Sequence, residues 1–335
     1  MKIRILCLAF SCLLLNAKAQ TIIGNQQAIQ FNVSGSQKAW GLLYVPTPDP
    51  LNPTESFPLI IFEHGLGEVG STQSDLNKLL SWGTPWLVST GNKMSFTDPR
   101  TGIKRRFMCL ALQGQSLAPY KSWVKYVLDN YLFKSPYRVD QNAVYITGLS
   151  SGGDQTLQMV TTDGYAQYIA ATVPMSPGGG PFTNATVPAA LGIRSWAFAG
   201  TAGDNPYLGT ATDFTNSLNA LMPGYARLTT YPCGHGCWNT HYDPNYRETI
   251  AGKSMNIYEW MLYYAKNSLL GVDIVSSVVE HLLNYDKIMW SAKETNETDY
   301  YEVQASEDGK DWSTVQTVNA HEETGTYNYS FIYSL

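Results

Sequence analysis

Histidine and cysteine are both scarce in this 335-residue chain, five of each. Two of the cysteines, Cys7 and Cys12, fall within the first twenty residues, which leaves Cys109, Cys233 and Cys237. Three thiols are too few for a cysteine-only metal centre and allow at most one disulfide. Cys233 and Cys237, close in sequence, are the favoured pair, and whether they bridge stays open at this stage. Cys109 sits inside the apolar run "RFMCLAL" and reads as a buried small hydrophobe. Basic residues are also in deficit, 22 against 27 acidic. A mildly acidic surface argues against nucleic acid as a partner. Beyond the first twenty residues no apolar run is long enough to span a bilayer.

Those first twenty residues have the pattern of a secretory signal. Lys2 and Arg4 give a basic start, Ile5 to Leu15 an apolar stretch, and Ala17-Lys18-Ala19 a small-x-small cleavage site. Residues 1–19 are therefore expected to be a signal peptide, with a mature chain beginning at Gln20 and placed outside the cell, in the periplasm or at the cell surface. Loss of Lys2, Arg4 and Lys18 takes the basic count from 22 to 19 against 27 acidic residues, and the formal charge from −5 to −8. Aromatic residues make up 13% of the chain. That content suits sugars or other ring-bearing ligands as well as it suits a large core.

From about residue 27 to 267, strand-like and helix-like patterns alternate. "QAIQFNV" and "AWGLLYVP" read as an antiparallel opening pair. "FPLIIFEH", "RFMCLAL", "NAVYITGL", "YIAATVPM", "RSWAFAG" and "YARLTTY" are continuous apolar runs, as in strands buried on both faces. Helical patterns lie over 73–82, 119–133, 152–163, 210–222 and 253–267. The alternation predicts an α/β fold with a mostly parallel central sheet flanked by helices. After residue 267 the pattern changes to alternating apolar and polar residues punctuated by turn signals such as Asp308-Gly309. Residues 268–335 thus read as a small antiparallel β-sandwich-like segment of four or five strands, and 20–267 as the larger domain.

The stretch "ITGLSSGGDQ" carries Gly-x-Ser-x-Gly spacing at Gly148, Ser150 and Gly152. A chain of this length meets that spacing by chance about one time in ten, so context has to decide. Here the motif follows an apolar strand and opens a helical pattern, the setting of a nucleophile elbow. A serine nucleophile needs a base downstream. His64 lies upstream, and His281 and His321 lie in the C-terminal β segment. His235 and His241 remain. His235, in "YPCGHGCW", stands just after the last strand between two glycines and is preferred; His241 is then a pocket or surface residue. Between Ser151 and Gly234 there is no Glu and only Asp154, Asp163, Asp204 and Asp213. Asp204, in "TAGDNPY", directly follows the strand "RSWAFAG", where a carboxylate can orient an imidazole. The candidate triad is Ser150, Asp204 and His235.

With these pieces in place the chain resembles the α/β-hydrolase superfamily. It is most similar to the secreted esterases that include feruloyl and acetyl-xylan esterases, polyhydroxybutyrate depolymerase-like proteins and "predicted peptidase" hydrolases. "FEHGLGEVG" resembles their oxyanion loop, "LSWGTPWLVSTGN" their Gly-x-Pro segment, "LALQGQ" their Pro-Gln element and "GHGCWNTHY" their His-x-x-Trp loop. The match covers about 30–267. Glu63 replaces the usual apolar residue before the His-Gly, and Gly114 interrupts the Pro-Gln element. The tail is similar to a partial fibronectin III-like module of Bacteroidetes exported enzymes. The resemblance implies a serine carboxylic-ester hydrolase working through an acyl-enzyme on carbohydrate-linked or polymer-derived esters, with no cofactor and no metal. It places an oxyanion hole at the amides of Leu66 and Ser151, makes His64 a structural residue, and suggests Trp238, Trp86 and Gln113 for the substrate pocket, with Trp82 in the same aromatic neighbourhood. Two other readings use the same residues: a serine peptidase of prolyl oligopeptidase type, and an inactive extracellular binding protein. Oligomeric state is not indicated.

Overall fold

The computed structural model describes residues 21–48, 50, 55–180, 182–266, 272–282, 284–294, 300–306, 313–321 and 325–334. The expected signal peptide, residues 1–19, lies outside these residues, as do Cys7 and Cys12. Among the described residues no helix is long and apolar enough to cross a membrane.

Strands β1 (Ile22–Ile23), β2 (Gln26–Ser34), β3 (Gln37–Tyr44) and β4 (Phe57–Glu63) come first, followed by the short pair β5 (Ser95–Thr97) and β6 (Lys104–Arg106). Then come β7 (Met108–Leu112), β8 (Val139–Leu149), β9 (Ala171–Met175), β10 (Arg194–Gly200) and β11 (Ala226–Tyr231). Nine of these make one sheet in the order β1-β2-β3-β7-β4-β8-β9-β10-β11. Its β1-β2-β3-β7 edge is antiparallel, and from β7 through β11 every pair is parallel. All seven residues of β4 and all five of β7 and β9 are buried, which accounts for their unbroken apolar runs: both faces of a crossover sheet are covered. Successive residues of β4 therefore serve different cores. Ile60 and Phe62 join an aromatic-rich layer with Trp196, Phe198, Tyr242 and Tyr258. Leu59 and Ile61 join Leu110, Ile146, Leu157 and Phe214 on the opposite face.

Among the described residues, seven α-helices flank the sheet: α1 (Gly83–Ser89), α2 (Lys121–Val127), α3 (Ser151–Thr161), α4 (Thr186–Ala190), α5 (Tyr207–Leu221), α6 (Trp238–Tyr242) and α7 (Ile257–Tyr263). The predicted helix 73–82 forms a 3-10 helix over Gln73–Ser81. Its start is fixed by a capping box in which Thr72 and Asp75 satisfy each other's backbone amides. The predicted 119–133 helix divides into α2 and a π-helical turn over Leu128–Leu132. The prediction of helix over 253–267 is corrected at its start. Lys253–Met255 is a strand, β13, paired with β12 (Glu248–Ile250) through a two-residue turn. Ala251 (φ 51°) and Gly252 (φ 74°) both take positive φ, as a primed hairpin turn requires. Only after it does Asn256 cap α7, accepting from Tyr258 N (3.1 Å) and Glu259 N (3.0 Å).

The C-terminal strands are β14 (Val272–Leu282), β15 (Tyr285–Glu294), β16 (Tyr300–Ala305), β17 (Ser313–Asn319) and β18 (Gly325–Ser334). They form two antiparallel sheets, β14-β15-β18 and β16-β17. Trp290 of β15 meets Tyr301 of β16 edge-on (5.5 Å) and stacks on Tyr329 of β18 (5.2 Å). The buried Glu294 accepts the hydroxyls of both tyrosines. Two sheets joined through such a layer suit the expected sandwich-like segment.

Candidate active site

Ser150 occupies the turn between β8 and α3 with φ 55° and ψ −122°, a backbone state that L-residues adopt only under constraint. The constraint is visible in its neighbours. A Cβ on Gly152 would lie 2.0 Å from the carbonyl oxygen of Glu63, and one on Gly148 would lie 2.6 Å from Gly152 O and 2.7 Å from Glu63. Glycine at both positions lets β4, β8 and α3 close on each other. The Ser150 amide donates to Met175 O (3.0 Å), fixing the turn to β9.

Residues that the sequence places far apart meet at Ser150. Its Oγ lies 2.8 Å from His235 Nε2, and His235 Nδ1 lies 2.7 Å from Asp204 Oδ1. Asp204 is 1% exposed. Its Oδ2 accepts the Gly200 amide (2.8 Å) and the Ser176 hydroxyl (2.7 Å). The carboxylate is thus filled by three donors and has one way to face the imidazole. Gly200 is required at the end of β10, because a Cβ there would lie 2.1 Å from Cys233 O. His235 sits on the loop after β11 with its side chain 29% exposed. One face of the ring stacks on Tyr207 (3.8 Å, 23° between planes), and Trp238 meets it at right angles (5.0 Å). Cys233 and Cys237, two residues to either side of His235, form a disulfide.

The loop after β4 runs past the elbow. A Cβ on Gly65 would lie 3.6 Å from Ser150 Cβ, so Leu66, which opens the short turn Leu66–Glu68, follows directly beside the serine. Ser151 begins α3, and the first amides of a helix have no partner within it. Leu66 is 55% exposed. His64 is fully buried and braces this loop. With its Nδ1–H on Gly65 O (2.6 Å), its Nε2 accepts the Gly114 amide (2.9 Å). Burial lowers its pKa to about 4, so it stays neutral.

The pocket assignments fare unevenly. Gln113 is corrected: it has no exposed surface. Its Nε2 donates to the carbonyls of Glu68 (2.8 Å) and Asp75 (2.9 Å), so it is a brace under the loop, not a pocket wall. Trp86 is half-buried on α1 against the aromatic core. The tryptophan that reaches the site is Trp82, edge-to-face with Trp238 (5.2 Å). Trp238 is itself buried, with Nε1 donating to Ser176 Oγ (3.1 Å). Glu63 lies buried behind the elbow, and burial holds its carboxyl well above the usual range. Sequence reasoning missed Ser176 and Tyr207. Ser176 stands at the strand end "PMSPGGG" with φ 43°. Tyr207 opens α5 three residues after Asp204. Both lie at the carboxyl ends of strands, the one signal that could have flagged them.

His241 is buried among the rings of Phe198, Tyr231 and Tyr246 (4.9, 4.3 and 4.6 Å), and burial lowers its pKa to about 4. It is a core residue, not a surface one. Unfolded histidines titrate near 6.5, so as pH falls the unfolded chain takes protons that the folded one refuses. The stability tied to His64 and His241 is complete above about pH 6.5 and is lost down to about pH 4, at most about 3 kcal/mol for each. Thermal melts between pH 7 and 4.5 should show Tm falling, and His241→Phe should fall less steeply. Parallel slopes for the two proteins would exclude His241 as a source of the acid lability.

No family model and no curated protein matches the chain. Among solved structures it is similar to a thermostable esterase, with a TM-score of 0.52 and 20% identity over 73% of this chain and 64% of that one. It is also similar to the S-formylglutathione hydrolase FrmB from Staphylococcus aureus, with a TM-score of 0.49 and 13% identity over 71% and 96% of the two chains. A ferulic acid esterase aligns with a TM-score of 0.45 and 13% identity over 71% and 99%. The chain thus spans 64% of the length of the thermostable esterase. Its fold is the α/β-hydrolase fold.

Proposed function

We propose that the chain is a secreted serine carboxylic-ester hydrolase. One observation carries the reading: an unbroken line of hydrogen bonds from Ser150 Oγ through His235 to the buried Asp204, at a strained strand-to-helix turn. Ser150 Oγ attacks the ester carbonyl while His235 Nε2 takes its proton. The amides of Leu66 and Ser151 hold the oxyanion, helped by the positive end of α3. His235 returns the proton to the leaving alcohol as the tetrahedral intermediate collapses to an acyl-enzyme. Water, deprotonated by the same imidazole, then releases the acid. Asp204 fixes the imidazole tautomer and balances the charge it gains.

Tyr207 and Trp238 pack on His235, with Trp82 against Trp238, an aromatic surround that favours sugar or ring-bearing esters. The leader pattern of residues 1–19 supports export. Residues 20–267 would form the catalytic domain and 268–335 a fibronectin III-like module.

The test is a substrate panel of p-nitrophenyl acetate, methyl ferulate, acetylated xylan and a Gly-Pro anilide. Ester turnover well above anilide turnover is the expected result. Faster cleavage of the anilide would favour the peptidase, and no turnover together with no labelling of Ser150 by a fluorophosphonate would favour a binding protein.

A further inference from the structure

We propose that the Cys233–Cys237 disulfide positions the His235 imidazole, so that opening the bridge switches the site off while the chain stays folded. The proposal rests on the serine-hydrolase reading above. His235 is the middle residue of a five-residue bridged loop, flanked by Gly234 and Gly236. Neither glycine has a left-handed φ, and a Cβ on Gly236 would meet nothing within 4 Å. Space and backbone conformation therefore do not demand glycine at 236. Two glycines give the base the greatest backbone freedom available to a chain, yet its Nε2 must stay 2.8 Å from Ser150 Oγ.

The bridge removes that freedom. It ties Cys233, which follows β11 and whose carbonyl accepts the Ala202 amide (3.1 Å), to Cys237 at the start of α6. The far side is anchored in turn. Trp238 donates to Ser176, and Asn239 accepts the Gly83 amide (3.0 Å) and donates to Ser81 O (3.0 Å). Between these anchors the loop's own backbone gains a hydrogen bond from Tyr231 Oη to Gly236 O (3.2 Å).

The bridge is also accessible. Cys237 is exposed and Cys233 half-buried, so a thiolate can attack the Cys237 sulfur from solvent. Reduction by a dithiol breaks the S–S bond and delivers two electrons and two protons. It leaves two cysteine thiols and the cyclic disulfide of the reagent. Cys109 takes no part: it is buried in β7, and burial pushes its thiol well up.

The experiment compares oxidised protein, its bridge verified by non-reducing mass spectrometry, with protein reduced by dithiothreitol. Reduction should lower kcat for p-nitrophenyl acetate by about tenfold or more, since small displacements of a catalytic group cost rates of that order. KM should barely move, the protein should stay folded by circular dichroism, and reoxidation should restore the rate. The Cys233→Ser/Cys237→Ser variant should start at the lower kcat and ignore dithiothreitol. Adding Gly236→Ala to it should recover part of the kcat by restricting the backbone, a rescue that a merely stabilising bridge does not predict. An opened bridge with unchanged kcat, or a kcat that follows only the unfolded fraction, overturns the proposal. Failure of the underlying reading looks different: the oxidised protein would then show no turnover that depends on Ser150.

Discussion

Ser150→Ala should lower kcat toward p-nitrophenyl acetate by about 10⁵-fold while leaving KM within a few-fold, since in the proposed mechanism the lost group forms and breaks the covalent bond and contributes little to ground-state binding. The residual rate belongs to water attack assisted by the oxyanion amides, the level that triad-deficient serine hydrolases retain. A second substitution at the same position separates chemistry from stability. At φ 55° and ψ −122° a non-glycine residue carries strain of about 1–3 kcal/mol. Ser150→Gly relieves it and gives back part of the gain, about 0.5–1 kcal/mol, as unfolded-state entropy. The glycine variant should therefore be as inactive as alanine but melt higher than the parent by a few degrees, for a chain of this size. Lower Tm in Ser150→Gly would mean that the turn is not strained. Substantial activity in either variant would remove Ser150 from the mechanism.

The frame of the molecule was readable because its strands are buried on both faces. Seven consecutive apolar or buried positions in β4 leave little room for another assignment, and the helices between such runs follow from the crossovers they need. The meeting of Ser150, Asp204 and His235 was readable for a different reason, scarcity. With five histidines in the chain and four aspartates between Ser151 and Gly234, chain order and position at strand ends left one of each. What stayed hidden depends on contacts rather than on pattern. Gln113 resembles a pocket residue in sequence, yet the chain folds its amide under the Glu68 and Asp75 carbonyls. Trp82 and Trp86 sit one helical turn apart, and only the packing of α1 against α6 selects Trp82 for Trp238. The β12-β13 hairpin was lost in a helical window because Ala251-Gly252 is a weak turn signal until positive φ is seen. Ser176 and Tyr207 carry no motif and gain meaning only from what they touch.

Asp204→Asn should lower kcat by about 10⁴-fold with a Tm close to that of the parent, because the hydrogen bonds around Asp204 leave the amide one tolerable orientation. Oδ2 accepts two donors, the Gly200 amide and the Ser176 hydroxyl, and Oδ1 faces His235 Nδ1. If the asparagine oxygen keeps the two donors, its NH₂ points at Nδ1. The imidazole must then accept there and carry its proton on Nε2, the nitrogen that in the proposed mechanism takes the proton of Ser150. If the amide flips, NH₂ faces the Gly200 N–H in a site 1% exposed, and a buried unpaired donor costs about 1–3 kcal/mol. The first orientation is cheaper, so the fold survives and the tautomer is wrong. The defect should appear in kcat and not in KM. A variant within tenfold of the parent would remove the acid role from Asp204, and the other aspartates between Ser151 and Gly234 have no route to it. Asp154 is held by Gln158 (2.8 Å) on α3, Asp163 accepts the Gly164 amide (2.9 Å) at the end of that helix, and Asp213 is exposed on α5. Near-normal turnover would therefore mean that the imidazole works without a carboxylate partner, held by the Tyr207 stack and its bridged loop alone.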